Sequence, residues 1–250
     1  HLGLDSPEID QELVDLKDSG YVRFLKDDIC LIVDIGKIGP DYLPGHAHAD
    51  TLSYELSLAG KRVFVNSGIS CYGVSSERLL QRGTDAHNTL TVDGQDSSEV
   101  WSGFRVARRA RITDKDVKSE ALKTVIKAQH DGYKRLKTVG EHHREFKIIN
   151  HRIEIKDRVE GKGEHLIKVN FHLHPDLTAE KVSEHLYLIE NRDSTCLASL
   201  ACDSKHSLQL KESCYYPEFG LKIQKKSLVL EARTALPVEI PFTIELEPKL

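Results

Sequence analysis

The 250-residue sequence has no methionine, a single tryptophan and only 6% aromatic residues. None of its apolar runs approaches the roughly 20 residues that a membrane-spanning helix requires, so no part of it is expected to cross a bilayer. It also lacks an excess of positive charge. With 35 basic against 39 acidic side chains, the formal charge of −4 excludes a global attraction to nucleic acid or anionic lipid. Any anionic ligand must therefore find a local basic patch. No C-x-x-C pair occurs among Cys30, Cys71, Cys196, Cys202 and Cys214, so neither a zinc ribbon nor dithiol redox chemistry is signalled, and the five read as ordinary buried thiols. A signal-peptide pattern is absent too, and the start at His1 leads us to expect a piece of a longer protein.

What is present is globular. Hydrophobic residues make up 39% and charged residues 30%, enough for one large all-β unit or two ordinary domains. Ser6-Pro7 followed by Ile9, Leu13 and Leu16 predicts a short N-terminal helix ending near Gly20. From Tyr21 onward, period-two alternation and short apolar runs predict strands, among them 30–35, 52–58, 63–65, 89–92, 104–112, 122–128, 146–155, 166–173, 186–189, 208–210, 228–230 and 238–246. Turn signals stand at Ala59-Gly60-Lys61 and Val92-Asp93-Gly94, and Glu160-Gly161-Lys162-Gly163 suggests a break in a sheet. The expected fold is all-β, a large antiparallel β-sandwich over residues 21–250, with residues 1–20 as linker and short helix.

The most informative stretch is Gly45-His46-Ala47-His48-Ala49-Asp50, running into Thr51-Leu52-Ser53-Tyr54-Glu55-Leu56-Ser57-Leu58. Strand alternation places Leu52, Tyr54, Leu56 and Leu58 inward and, carried backward, puts Asp50, His48 and His46 on the same face. Buried ionisable groups need partners, protons or a metal. A third histidine, His87, precedes another expected strand, and two histidines from one strand with one from another suit zinc. A hydrogen-bonded histidine pair and a histidine general base fit the spacing as well. In 166–173 the apolar face is Ile167, Val169, Phe171 and Leu173, so His172 and His174 are expected to project outward. His142 and His143 carry a weaker signal still.

Pro44-Gly45-His46-Ala47-His48-Ala49-Asp50-Thr51-Leu52-Ser53, Arg62-Val63-Phe64-Val65-Asn66-Ser67-Gly68 and Ala86-His87-Asn88-Thr89-Leu90-Thr91-Val92-Asp93-Gly94-Gln95 together resemble the C-terminal β-sandwich domain of heparinase II/III-like polysaccharide lyases. The resemblance is strongest over residues 40–112. It implies a missing N-terminal α/α toroid, with the catalytic cleft between toroid and sandwich. His46 would face the substrate as the catalytic histidine, while His48 and His87 would join a carboxylate around a structural metal, usually zinc. This sequence has Asn66 where that carboxylate belongs. A neutral amide is the weaker ligand, so Asp50 or water must compensate or affinity must fall. Parity across a Gly60-Lys61 turn would also aim Asn66 outward, unless a bulge reverses it.

The resemblance further implies β-elimination on an acidic, uronic-acid-containing polysaccharide. The C5 proton is a poor acid, so its neighbouring carboxylate must be neutralised while a base and an acid serve the two reacting atoms. A toroid tyrosine usually carries much of that proton transfer, so this chain alone is expected to be inactive or nearly so. Arg105, Arg108, Arg109 and Arg111 form one dense basic run, either a solvated face or, through Arg105 and Arg109, a binding surface for carboxylate or sulfate. Trp101 either stacks on a sugar or plugs the sandwich. Export to the periplasm or beyond is the expected compartment. The rival reading is a noncatalytic glycan-binding or scaffolding sandwich.

Overall fold

The computed structural model describes residues 11–246. Five strands make the first sheet: β1 (Leu13–Leu16), β2 (Tyr21–Lys26), β3 (Ile29–Asp34), β4 (Tyr54–Leu58) and β5 (Lys61–Phe64), antiparallel and in sequential order. A seven-residue helix, α1 (Ser76–Arg82), follows, then β6 (Leu90–Val92) and the small hairpin β7 (Val100–Trp101) and β8 (Arg105–Val106). The second sheet holds β6 with β9 (Ile112–Glu120), β10 (Lys123–His130), β11 (Val139–Ile149), β12 (Arg152–His172), β13 (Leu177–Lys181), β14 (Leu186–Asn191), β15 (Cys196–Cys202), β16 (Leu208–Tyr215) and β17 (Ile223–Leu246). Together they form the expected antiparallel sandwich.

Two very long strands give the larger sheet its curvature. β12 pairs with β11 through its first half and with β6 near its end, while β17 runs beside it and also serves β15 and β16. The expected sheet break is a bulge: register slips between Val159 and Gly163, and Gly161 and Gly163 both have positive φ, which bends a strand without ending it. The sheets meet through aromatic contacts, Tyr54 with Phe146 at 5.3 Å and Phe64 with Phe171 at 5.8 Å between ring centroids. Inward residues of β4 and β11 are all but sealed from solvent, each large side chain contributing about 1.5–3 kcal/mol of burial.

Several expectations change. Residues 13–16 are an edge strand rather than the end of a helix, because the open edge of β2 offers backbone partners from Leu13↔Phe24 to Leu16↔Tyr21; the earlier part of that helix lies outside the described residues. His172 is buried, since the second face of β12 is covered: its Nδ1 meets Ser227 Oγ at 2.7 Å and its Nε2 meets the Asp85 carbonyl at 2.9 Å. His142 is also fully buried, facing the core from β11. Among the described residues the five cysteines form no disulfide, and they are only half-buried. Residues 104–112 are not one strand, but a hairpin arm and a loop leading into β9, a charged, exposed edge.

Candidate functional site

The histidine-rich segment does not continue the β4 strand. Ser53 N–H donates to the Asp50 carbonyl at 2.8 Å, closing a turn in which Leu52 takes φ +66°. Strand parity therefore breaks between residues 50 and 54. Leu52, Tyr54, Leu56 and Leu58 still point inward, whereas His46 is exposed and His48 and Asp50 are half-buried. A separate turn, closed by Ala47 N–H on the Pro44 carbonyl at 3.1 Å, sets His46 apart from the other two.

His48 and His87 do converge. His48 Nδ1 lies 3.3 Å from His87 Nε2, and the ligand atoms of His48, Asp50 and His87 all fall within 4.8 Å of one another. Two nitrogens on a tetrahedral zinc at about 2.0–2.1 Å stand roughly 3.3 Å apart, so the observed spacing fits. Burial, then the charges of Arg78, Arg82 and His46, push His48 down to about 3. Burial chiefly holds His87 far below its usual range. Both rings are thus neutral, the form that ligates metal. Burial first, and Asp34 second, raise the Asp50 carboxyl well above the usual range, a cost that a cation would relieve.

Asn66 is half-buried, and its Oδ1 is sealed from solvent with no hydrogen-bond partner. An Ala59-Gly60 turn with both residues at positive φ is followed by a bulge pairing Leu56 with Phe64 and Ser57 with Arg62. That combination re-aims the chain after Val63, and Ser67 N–H then bonds the Ala86 carbonyl at 2.9 Å, setting Asn66 on the segment beside His87. His87 Nδ1 is likewise buried and unpartnered. A buried polar atom left without a partner costs about 1–3 kcal/mol, so the Asn66 oxygen is a donor left open to a ligand; His87 Nδ1 points away from the Nε2 edge that faces His48.

The sequence reading missed α1 and the two arginines it carries. Its buried residues are Arg78, Gln81 and Arg82, while Leu79 and Leu80 face out, an inverted amphipathicity that a search for apolar stripes cannot detect. The available signal was Ser75 as N-cap, whose side chain accepts from Arg78 N–H at 3.1 Å, and Gly83 at the end. Arg78 donates to His48 Nε2 at 3.1 Å, the Gly45 carbonyl at 3.3 Å and the Gly103 carbonyl at 3.3 Å. Arg82 donates twice to the Ala47 carbonyl, at 3.1 and 2.9 Å. The carbonyls on either side of His46 are therefore both pinned by one short helix.

His46 in turn meets Tyr72, whose hydroxyl lies 2.7 Å from His46 Nδ1. Tyr72 sits under the Arg78 guanidinium, 5.0 Å from its ring centroid, and packs with Phe104 at 5.8 Å and Phe219 at 5.0 Å. Gly103 allows this assembly, since a Cβ there would fall 2.4 Å from the Gly73 carbonyl oxygen. The result is an exposed aromatic rim around His46. On its flank Trp101 is 52% exposed, with the Arg105 guanidinium 5.4 Å from its ring centroid. Trp101 is thus a surface residue and no plug. Arg108 is bound to Glu99. Arg109 is committed to Asp41 at 3.0 Å and to the Gly39 and Pro40 carbonyls, so it holds the chain leading to His46, and Arg105 is left to face solvent.

Comparisons with known proteins agree with this fold. Heparan sulfate lyase HepC from Pedobacter heparinus superposes with TM-score 0.76 at 18% identity, covering 96% of this chain and 37% of that one. The heparinase III BT4657 gene product gives 0.75 at 17%, covering 96% and 36%. The chain thus spans little more than a third of the length of these structures. A 4-alpha-glucanotransferase from Thermococcus litoralis shares the fold more distantly, with TM-score 0.52 at 10% identity over 95% of this chain and 39% of that one. Among curated proteins none matches. The family model for the heparinase II/III-like C-terminal domain matches residues 8–243, and with nearly the whole sequence inside that match the chain belongs to this family.

Proposed function

We propose that this domain is the β-sandwich part of a polysaccharide lyase that cleaves an acidic, uronic-acid-containing polysaccharide by β-elimination. The observation that carries the reading is His46, exposed, clamped through both neighbouring carbonyls and fixed at Nδ1 by Tyr72. Its Nε2 is left to meet substrate. When the Tyr72 hydroxyl donates to Nδ1, Nε2 carries the ring's one proton and can donate a hydrogen bond to the uronate carboxylate; in the other tautomer Nε2 is a base toward the C5 proton, and the imidazolium so formed can pass that proton to the departing C4 oxygen. Trp101 and the aromatic rim would stack on sugar rings, and Arg105 would pair with carboxylate or sulfate.

His48, Asp50 and His87, with the Asn66 amide oxygen as a neutral fourth donor, are the residues that would hold zinc. There the ion would serve as a structural cross-link, neutralising Asp50 and fixing the segment that ends two residues from His46. The remaining acid–base groups would come from a toroid domain elsewhere in a longer protein, acting in the periplasm or outside the cell. Among the described residues no helix is long and apolar enough to cross a membrane.

A panel of acidic polysaccharides incubated with the full-length protein tests the reading. Products with the ultraviolet absorbance of an unsaturated uronate are expected, and none from this chain alone. Tight glycan retention without unsaturated product would instead favour the noncatalytic module.

A further inference from the structure

We infer that Arg144 and Asp157, deep in the sandwich and remote in sequence from the histidine motifs, are a positioning pair for the His48–Asp50–His87 cluster. This rests on the metal reading above. The two residues stand directly opposite each other on β11 and β12, and both side chains are wholly buried. Arg144 Nε and Nη2 donate to Asp157 Oδ1 and Oδ2, each at 2.7 Å, the two-pronged geometry that only a guanidinium supplies. Its remaining nitrogen, Nη1, donates to two main-chain carbonyls, Leu52 at 2.9 Å and Asn88 at 2.7 Å. One of these lies two residues after Asp50 and the other one residue after His87. A single side-chain nitrogen therefore ties together the two chain segments that carry the cluster.

The turn it grips needs holding. Leu52 has φ +66°, a conformation costly for a bulky residue and sustained only when its surroundings fix it. Leu52 N–H bonds the Asp34 carbonyl at 3.0 Å and its own carbonyl takes Arg144, so the strained residue is fastened at both ends. The register of Asp50 depends on that turn, because Ser53 N–H closes it on the Asp50 carbonyl. On the other segment, Asn88 Nδ2 donates to the Tyr54 carbonyl at 2.9 Å, and Asn88 Oδ1 accepts from His172 N–H at 2.6 Å. Arg144 thus joins a strained turn to a segment anchored in both sheets.

The charge pair is supported from behind by a chain of hydrogen bonds with one consistent direction. Gly132 N–H donates to His130 Nδ1 at 3.0 Å, so His130 Nε2 carries the proton toward His142 Nδ1 at 3.2 Å, and His142 Nε2 donates to Asp157 Oδ1 at 2.7 Å. Each ring is neutral, a single donor and a single acceptor. Burial works to raise the Asp157 carboxyl, but Arg144 and His142 outweigh it and hold the group down at about 2. Every polar atom of the network is used, which makes a buried ionic group rigid instead of merely costly. Asp157, His142 and His130 keep the guanidinium from rotating, and the guanidinium fixes the spacing of Asp50 and His87.

The test is the double variant Arg144→Met with Asp157→Leu, since replacing a buried pair by apolar residues of similar volume commonly leaves a chain folded. Arg144→Lys is the companion, keeping the charge and losing the fork. Zinc affinity is measured by competition with a chromophoric chelator, beside the thermal midpoint of the metal-free protein. The double variant, in which the Leu52 and Asn88 carbonyls and His142 Nε2 lose their partners, should fold with a lowered midpoint and bind zinc at least tenfold more weakly at a temperature where it is fully folded, with Arg144→Lys between the two. Equal zinc affinity in a folded variant would overturn the inference. Should the double variant not fold, Arg144→Lys alone decides, and undiminished affinity there overturns it equally. If the unsubstituted protein takes up no zinc, the metal reading falls, and the clamp is judged from the imidazole nitrogen resonances of His48 and His87. Their mutual hydrogen bond should then be lost in whichever variant folds, and its persistence would contradict the clamp.

Discussion

Lys225 on β17 offers a sharp test of how charge is held behind the site. It is 3% exposed, its Nζ donates to Ser67 Oγ at 3.0 Å, and it lies 5.8 Å from the Tyr215 ring centroid. No ion-pair partner within 4 Å is found for it among the described residues. Burial drives its ammonium down from 10.5 to about 7. At 1.36 kcal/mol per pH unit, that difference corresponds to roughly 5 kcal/mol of burial cost for the charged form. Below pH 7 both folded and unfolded chains carry the charge, and the folded state bears the whole penalty. Between about pH 7 and 10.5 the folded chain has released its proton while the unfolded chain has not, so this group makes stability climb with pH. Lys225→Met removes the penalty and forfeits one hydrogen bond worth about 1 kcal/mol. Urea unfolding of both proteins at pH 6, 8 and 9.5 should show the variant more stable at pH 6 by several kcal/mol, with the gap closing steadily toward pH 9.5. Taking the difference cancels the other titrating groups. A gap that is flat across this range would refute the assignment of a buried, depressed lysine.

Asn66→Asp restores a carboxylate beside His87 and should tighten zinc binding about tenfold or more, read by chelator competition, because a charged oxygen is the stronger ligand. Tyr72→Phe removes the hydroxyl 2.7 Å from His46 Nδ1. It should lower turnover of the full-length protein by about tenfold, shift the His46 tautomer seen in nitrogen resonances, and leave the thermal midpoint unchanged. Trp101→Ala and Arg105→Ala should each weaken retention of an acidic polysaccharide by about three- to tenfold, with the arginine effect fading at high salt. Undiminished retention would remove the β7–β8 hairpin from the binding surface.

Much of this architecture is legible in the sequence because period-two alternation survives in every strand with one packed face. The segment from Tyr54 to Leu58 reads correctly for that reason, whereas Leu52 lies in a turn and Ser53 is buried. Where burial is polar, the reading fails. The inner face of α1 consists of two arginines and a glutamine, and His142, Arg144 and Asp157 occupy core positions that look like solvent positions. The leucines at 13 and 16 fit a helical stripe and an edge strand equally, and only the open flank of β2 decides between them. For the site, spacing and resemblance brought His48 and His87 together. The turn closed by Ala47 N–H on the Pro44 carbonyl separated His46 from them, a backbone event that no alternation pattern announces. Tyr72, Arg78 and Arg82 belong to no repeated pattern and emerge only from the folded contacts.

The central claim is tested most directly by the elimination activity of the full-length protein carrying His46→Ala, followed as the ultraviolet absorbance of unsaturated product from the acidic polysaccharide that the unsubstituted protein cleaves best. Loss of a positioned acid–base group predicts a fall of about 10²–10⁴ in rate, with the thermal midpoint and zinc content unchanged. A variant that produces unsaturated uronate at the original rate would contradict the account.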